Sequence, residues 1–141
     1  MLAAAEPETP ALEGQGNVLV VEDDADVRAT TCNMLRDLGY IVQEARSGKA
    51  ALALLQDGGT VDLVFTDVIM PDGMSGLDLV RELDRVRPDL PVLLTSGYTA
   101  LRIVPEALAD ERRLLRKPYT QPELSRAIRA ALGGIGQPVR R

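Results

Sequence analysis

Histidine and tryptophan are absent from this 141-residue sequence, and cysteine and phenylalanine occur once each. Without histidine the chain can neither build a triad around an imidazole nor carry a phosphohistidine of its own, and with Cys32 alone it lacks the ligands of a zinc site. Cys32 has no partner for an internal disulfide, and no secretory signal pattern opens the chain, so a reducing cytoplasm is the expected compartment. No apolar run approaches the length of a membrane-spanning helix. Aromatic residues make up 3% of the chain against 45% apolar residues overall, so a core has to be built from Val, Leu, Ile and Ala. The length suits about one domain, large enough to bury such a core without disulfides or a structural metal.

The formal net charge is −5, and residues 1–16 carry Glu6, Glu8 and Glu13 with no Lys or Arg, which leaves −2 for the remainder. Such a surface offers no electrostatic case for nucleic acid or an anionic membrane. The opening MLAAAEPETPALEGQG, rich in Ala, Pro and Glu, reads as a flexible extension or linker.

From Asn17 onward, apolar runs of strand length alternate with stretches of helical period. VLVV at 18–21 predicts the first strand, and Val27, Thr31, Met34, Leu35 and Leu38 share one face of a helix stopped by Gly39. YIVQEA at 40–45 is mixed in polarity, as an edge strand would be. Ser47 is a plausible N-cap for a helix to about Leu55, ended by the glycines at 58 and 59, and DLVFT at 62–66 is the third strand. Leu77, Val80 and Leu83 mark the buried side of a third helix; Pro88 and Pro91 bracket the turn into the strand PVLLT. A helix between Tyr98 and about Ala109 is interrupted by Pro105, and a short fifth strand is expected at 113–116. Thr120 with Glu123 matches a capping box, Leu124, Ile128 and Leu132 give the last helix its apolar face, and the tail GGIGQPVRR should fray. Five alternations argue for a parallel sheet covered on both faces, with ligands bound beyond the carboxyl ends of its strands.

Those ends carry Glu22 and Asp23 after strand one, Asp67 after strand three, Thr95 and Ser96 after strand four, and Lys117 after strand five. Carboxylates gathered this closely repel, so either one is protonated or a cation sits among them. All-oxygen ligation points to Mg2+, which uses one or two carboxylates and leaves room for phosphate oxygens. In that reading Asp67 is a nucleophile that takes a phosphoryl group, Asp23 and Glu22 hold the metal, and Lys117 and Ser96 bind phosphoryl oxygens. Asp24 is the expected cap of the first helix.

VLVVEDD (18–24), FTDVIMPDGMSG (65–76), PVLLTSG (91–97) and LRKPY (115–119) together resemble the receiver domain of bacterial two-component response regulators, over about residues 17–132. The resemblance implies a flavodoxin-like (βα)5 α/β fold with strand order 2-1-3-4-5, a cis Lys117–Pro118 bond and Asp67 as phosphoacceptor. It further implies a backbone carbonyl of Ile69 on Mg2+, Ser96 as the switch hydroxyl and Lys117 as the phosphate-binding lysine. The donor would be a sensor histidine kinase or histidine phosphotransferase, and the chain no enzyme beyond its own phosphorylation and dephosphorylation. Many receivers have Tyr or Phe where this chain has Leu114; Tyr98, two residues past Ser96, is the expected replacement in the conformational response. The wording of TSGY and LLRKPY resembles receivers attached to, or serving, hybrid sensor histidine kinases. Residues 1–16 and 133–141 are expected to flank the domain, which then acts by docking, as a stand-alone receiver or as a piece of a larger kinase. Tyr98, Ile103, Val104 and Tyr119 form the candidate docking face, with core packing as the alternative. A haloacid-dehalogenase-like phosphatase has its acidic motifs in the opposite order, and a receiver-like module that takes no phosphate would not need the full set of site residues. A dinucleotide site is poorer still, because GQGNVL precedes its strand and lacks the third glycine.

Overall fold

Period-two alternation in the strands divides the apolar side chains between two faces of one sheet. The structure, a computed structural model, describes residues 16–58, 60–70, 74–97 and 114–136. Five strands, β1 (Asn17–Val21), β2 (Ile41–Ala45), β3 (Leu63–Asp67), β4 (Val92–Ser96) and β5 (Leu114–Arg116), pair in parallel in the order β2-β1-β3-β4-β5. Four helices are described: α1 (Ala25–Asp37), α2 (Gly48–Gln56), α3 (Gly76–Val86) and α4 (Gln121–Gly136). Val18, Val20, Leu63, Phe65 and Leu93 point to one face and pack with Cys32 and Leu35 of α1 and Leu124 and Ile128 of α4. Leu19, Val21, Val64, Val92 and Leu94 point to the other, against Ala51 and Leu55 of α2 and Leu79, Val80 and Leu83 of α3. Each buried Val, Leu, Ile or Phe among them is worth roughly 1.5–3 kcal/mol relative to exposure.

The helix starts follow local chemistry. Asp24 accepts from the backbone N–H groups of Asp26 and Val27, and Ser47 accepts from that of Ala50. Thr120 and Glu123 exchange reciprocal bonds, from Thr120 N–H to Glu123 Oε1 at 2.8 Å and from Glu123 N–H to Thr120 Oγ1 at 3.3 Å. Ser75 and Asp78 form a further capping box at the start of α3. Gly39, at φ +100, takes the left-handed conformation that ends α1. The mixed strand β2 lies at the sheet edge, with Ile41 exposed.

Several expectations shift. β3 and β4 each extend one residue further than the sequence pattern indicates, so that Asp67 and Ser96 are the last residues of their strands. Val27 is 38% exposed rather than turned to the core. Helix α4 continues four residues past Leu132, through Gly136, instead of ending at the glycines. Each glycine costs about 1 kcal/mol of helix propensity, but extending a helix already anchored by Leu124, Ile128 and Ala131 gains a hydrogen bond per residue without a new nucleation cost. The extension 1–15, the helix expected between Tyr98 and Ala109, Arg113 and residues 137–141 lie outside the described residues. None of the described helices is long and apolar enough to cross a membrane.

Candidate functional site

Parallel register brings the chemistry-bearing residues to one edge of the sheet. Val21 pairs with Thr66, Asp67 with Thr95, and Ser96 with Arg116, so Glu22, Asp67, Ser96 and Lys117 leave adjacent strands at the same level. Asp67, only 9% exposed, ends the central strand. Its Oδ2 accepts from Lys117 Nζ at 2.7 Å and its Oδ1 from the backbone N–H of Ile69 at 3.2 Å. Burial alone would lower the pKa of Lys117, but the hydrogen bond and charge of Asp67, with the charge of Glu22, raise it, so the side chain is an ammonium.

Gly76 donates its backbone N–H to Val68 O at 2.8 Å, and a Cβ at Gly76 would lie 2.0 Å from the carbonyl oxygen of Asp67. Only glycine permits that approach, which sets the start of α3 against the end of β3. The motif FTDVIMPDGMSG carries no local signal for the close backbone contact that makes Gly76 special.

Glu22 is buried, and Asp23 beside it is partly buried. Glu22 Oε2 accepts from the N–H of Asp24 at 3.1 Å. Burial is the main reason its pKa is pushed up to about 7; the Asp24 N–H opposes this, while the charge of Asp67 and the side-chain hydrogen bond with Asp23 add to it. Burial, more than the neighbouring charges, thus favours the protonated form of Glu22. Ser96, fully buried, donates its hydroxyl to the carbonyl of Gly97 at 3.1 Å.

Among the described residues no three acidic side chains form a ready-made metal cage. The donor chemistry nonetheless fits Mg2+, which keeps most of its waters and needs only one or two carboxylates. Glu22 feels the charge of Asp67 and shares a hydrogen bond with Asp23, an excess of negative charge that Lys117 offsets only in part.

Two of the expected switch residues, Leu114 and Tyr119, pack on opposite faces of the sheet. Leu114 is buried in the cluster on the α2 and α3 side of the sheet. Tyr119 packs on the opposite side, its ring edge-on to Phe65 with centroids 6.1 Å apart, and its hydroxyl lies 3.1 Å from that of Thr31. Tyr98, Ile103 and Val104 lie outside the described residues.

Residues 18–129 match the response regulator receiver domain family. The chain belongs to the response regulator receiver family. As a receiver it is 31% identical over 116 residues to the response regulator receiver protein CpdR of Brucella abortus, covering 82% of this chain and 95% of that protein. It is 36% identical to the chemotaxis protein CheY-3 of Vibrio cholerae, over 79% of this chain and 87% of the relative. It is also 37% identical over 123 residues to the sensor kinase CckA of Brucella abortus, covering 86% of this chain but only 13% of the kinase. A receiver domain protein from Clostridium thermocellum superposes with a TM-score of 0.74 at 29% identity, over 85% of this chain and 96% of that one. The fold is thus the flavodoxin-like receiver fold, with the Lys117–Pro118 bond cis, and the chain is a receiver domain of two-component signalling. Receivers as a family work with histidine kinases or phosphotransferases, bind Mg2+ at the phosphorylation site and are signalling phosphoacceptors rather than enzymes in the ordinary sense.

Proposed function

We propose that Asp67 accepts a phosphoryl group from a phosphohistidine on a sensor histidine kinase or histidine phosphotransferase. The observation that carries this reading is the Asp67 carboxylate at the end of the central strand, held 2.7 Å from Lys117 Nζ. A carboxylate oxygen of Asp67 forms the new bond to phosphorus as the phosphorus–nitrogen bond to the donor imidazole breaks, and the imidazole leaves with the bonding pair and takes up a proton. Lys117 passes from the Asp67 oxygen to a phosphoryl oxygen, and the Ser96 hydroxyl turns from Gly97 O to a second. Glu22, Asp23, Asp67 and the Ile69 carbonyl are the groups that would hold Mg2+, which when bound neutralises the phosphoryl oxygens as they enter. The match to part of a sensor kinase and to nearly all of a single-domain receiver supports docking to a kinase or phosphotransferase as the means of action.

Intact-mass spectrometry after incubation with acetyl phosphate, with and without Mg2+, tests the assignment. The expected result is a Mg2+-dependent gain of one phosphoryl group that is absent in Asp67→Asn. The same gain in the variant would move the acceptor elsewhere. No gain from either acetyl phosphate or a phosphorylated histidine phosphotransferase would leave a module that takes no phosphate.

A further inference from the structure

A second polar connection leaves the site in the direction of α1. Thr31, buried on that helix, and Tyr119, two positions beyond Lys117, meet hydroxyl to hydroxyl across 88 residues of sequence. Glu22, Thr31, Asp67, Thr95, Lys117 and Tyr119 line one small internal cavity of ≈ 10 Å³. Interiors are close-packed, so a rearrangement of any of these side chains displaces its neighbours. Thr95, which also lines this space, carries a buried hydroxyl with no hydrogen-bond partner. An orphaned buried hydroxyl costs about 1–3 kcal/mol, so a small shift that offers it a partner is favourable. On their outer side, Thr31 and Tyr119 line a groove of ≈ 410 Å³ together with Val27, Met34 and Pro118. The same pair is therefore a wall of the inner cavity and borders the groove beside α1. Leu114 brings neither ring nor hydroxyl to the opposite side of the sheet.

We propose that the Thr31–Tyr119 hydroxyl pair couples the state of Asp67 to helix α1. When Lys117 leaves the Asp67 oxygen for a phosphoryl oxygen, the segment from Lys117 to Tyr119 shifts, and the pair carries that shift to the α1 residues that border the groove. The inference rests on Asp67 being the phosphoacceptor.

The test is amide NMR of the full chain with and without Mg2+ and beryllofluoride, a phosphoryl mimic. In the wild type, signals change both at the site, at Val68, Ile69 and Lys117, and on α1 from Thr30 to Met34. Tyr119→Phe and Thr31→Val each remove one hydroxyl at nearly constant volume. Both keep the site changes while the α1 changes fall roughly twofold or more. The double variant loses no more than either single one, and Thr31→Ser, which keeps the hydroxyl, retains the response. A full α1 response in the two hydroxyl-deleted variants, or site changes without α1 changes in the wild type, overturns the coupling alone. A wild type silent at the site as well overturns the phosphoacceptor reading and the coupling with it.

Discussion

At the scale of single residues, Glu22 dominates the pH behaviour. Its folded-state pKa of about 7 lies above the ordinary 4.5, so the native protein holds a proton that the unfolded chain has already released. That contribution to stability is fully present below the unfolded pKa and is lost as pH rises through about 7. The loss is on the order of 2 kcal/mol after allowance for the water that reaches the site. Urea unfolding near the two ends of the window should show it in the wild type and not in Glu22→Gln. Metal binding needs the carboxylate rather than the acid, so Mg2+ affinity should rise across the same window; calorimetric titration that gives equal affinities at both ends would remove Glu22 from the metal site. Lys117→Met keeps much of the side-chain bulk and removes the ammonium beside Asp67. Phosphorylation by acetyl phosphate, followed by mass, should slow by roughly a hundredfold or more, the usual scale for losing one charge-stabilising donor.

At the scale of elements, Gly76 is the tightest constraint. A methyl group there would meet the backbone carbonyl of Asp67 at 2.0 Å, and backbone can yield only by moving α3 or the end of β3. Gly76→Ala should cost about 1–3 kcal/mol, the range for overpacking, and should shift the amide signals of Val68 and Ile69 as well. Ser75→Ala, which removes only the cap, should cost about 1 kcal/mol and leave those signals in place; thermal unfolding and NMR separate the two effects. Elements of this kind were readable from the sequence to the extent that their causes are local. Asp24, Ser47 and Thr120 announce helix starts because a cap needs only its own first turn. The exposure of Val27, the reach of α4 through Gly136 and the need for glycine at 76 depend on what lies across the molecule, and a periodic pattern carries no record of that.

For the molecule as a whole, alternating strands and helices made the parallel sheet legible, while the strand order entered through the family resemblance, because alternation alone does not say on which side a crossover returns. The convergence of Asp67 with Lys117 was legible as well, since both end strands of one sheet. The Thr31–Tyr119 contact was not, because it depends on how α1 lies relative to the loop after β5. The sheet separates two cores, so substitutions on opposite faces should act independently. Ile128→Val on the α4 side should cost about 0.5–1.5 kcal/mol and Val80→Ala on the α3 side roughly 2 kcal/mol. Denaturant unfolding of the double variant should give their sum within about 0.5 kcal/mol; a larger departure would mean that the sheet transmits strain between the faces. Cys32 lies fully buried on the sheet-facing side of α1, where burial first and the charge of Glu44 second push its thiol up to about 11. A thiol reagent at mild alkaline pH is therefore refused twice over, for want of access and for want of a thiolate. Once α1 lifts from the sheet both refusals end together, and the chain's single sulfhydryl becomes a built-in clock for how often that helix opens.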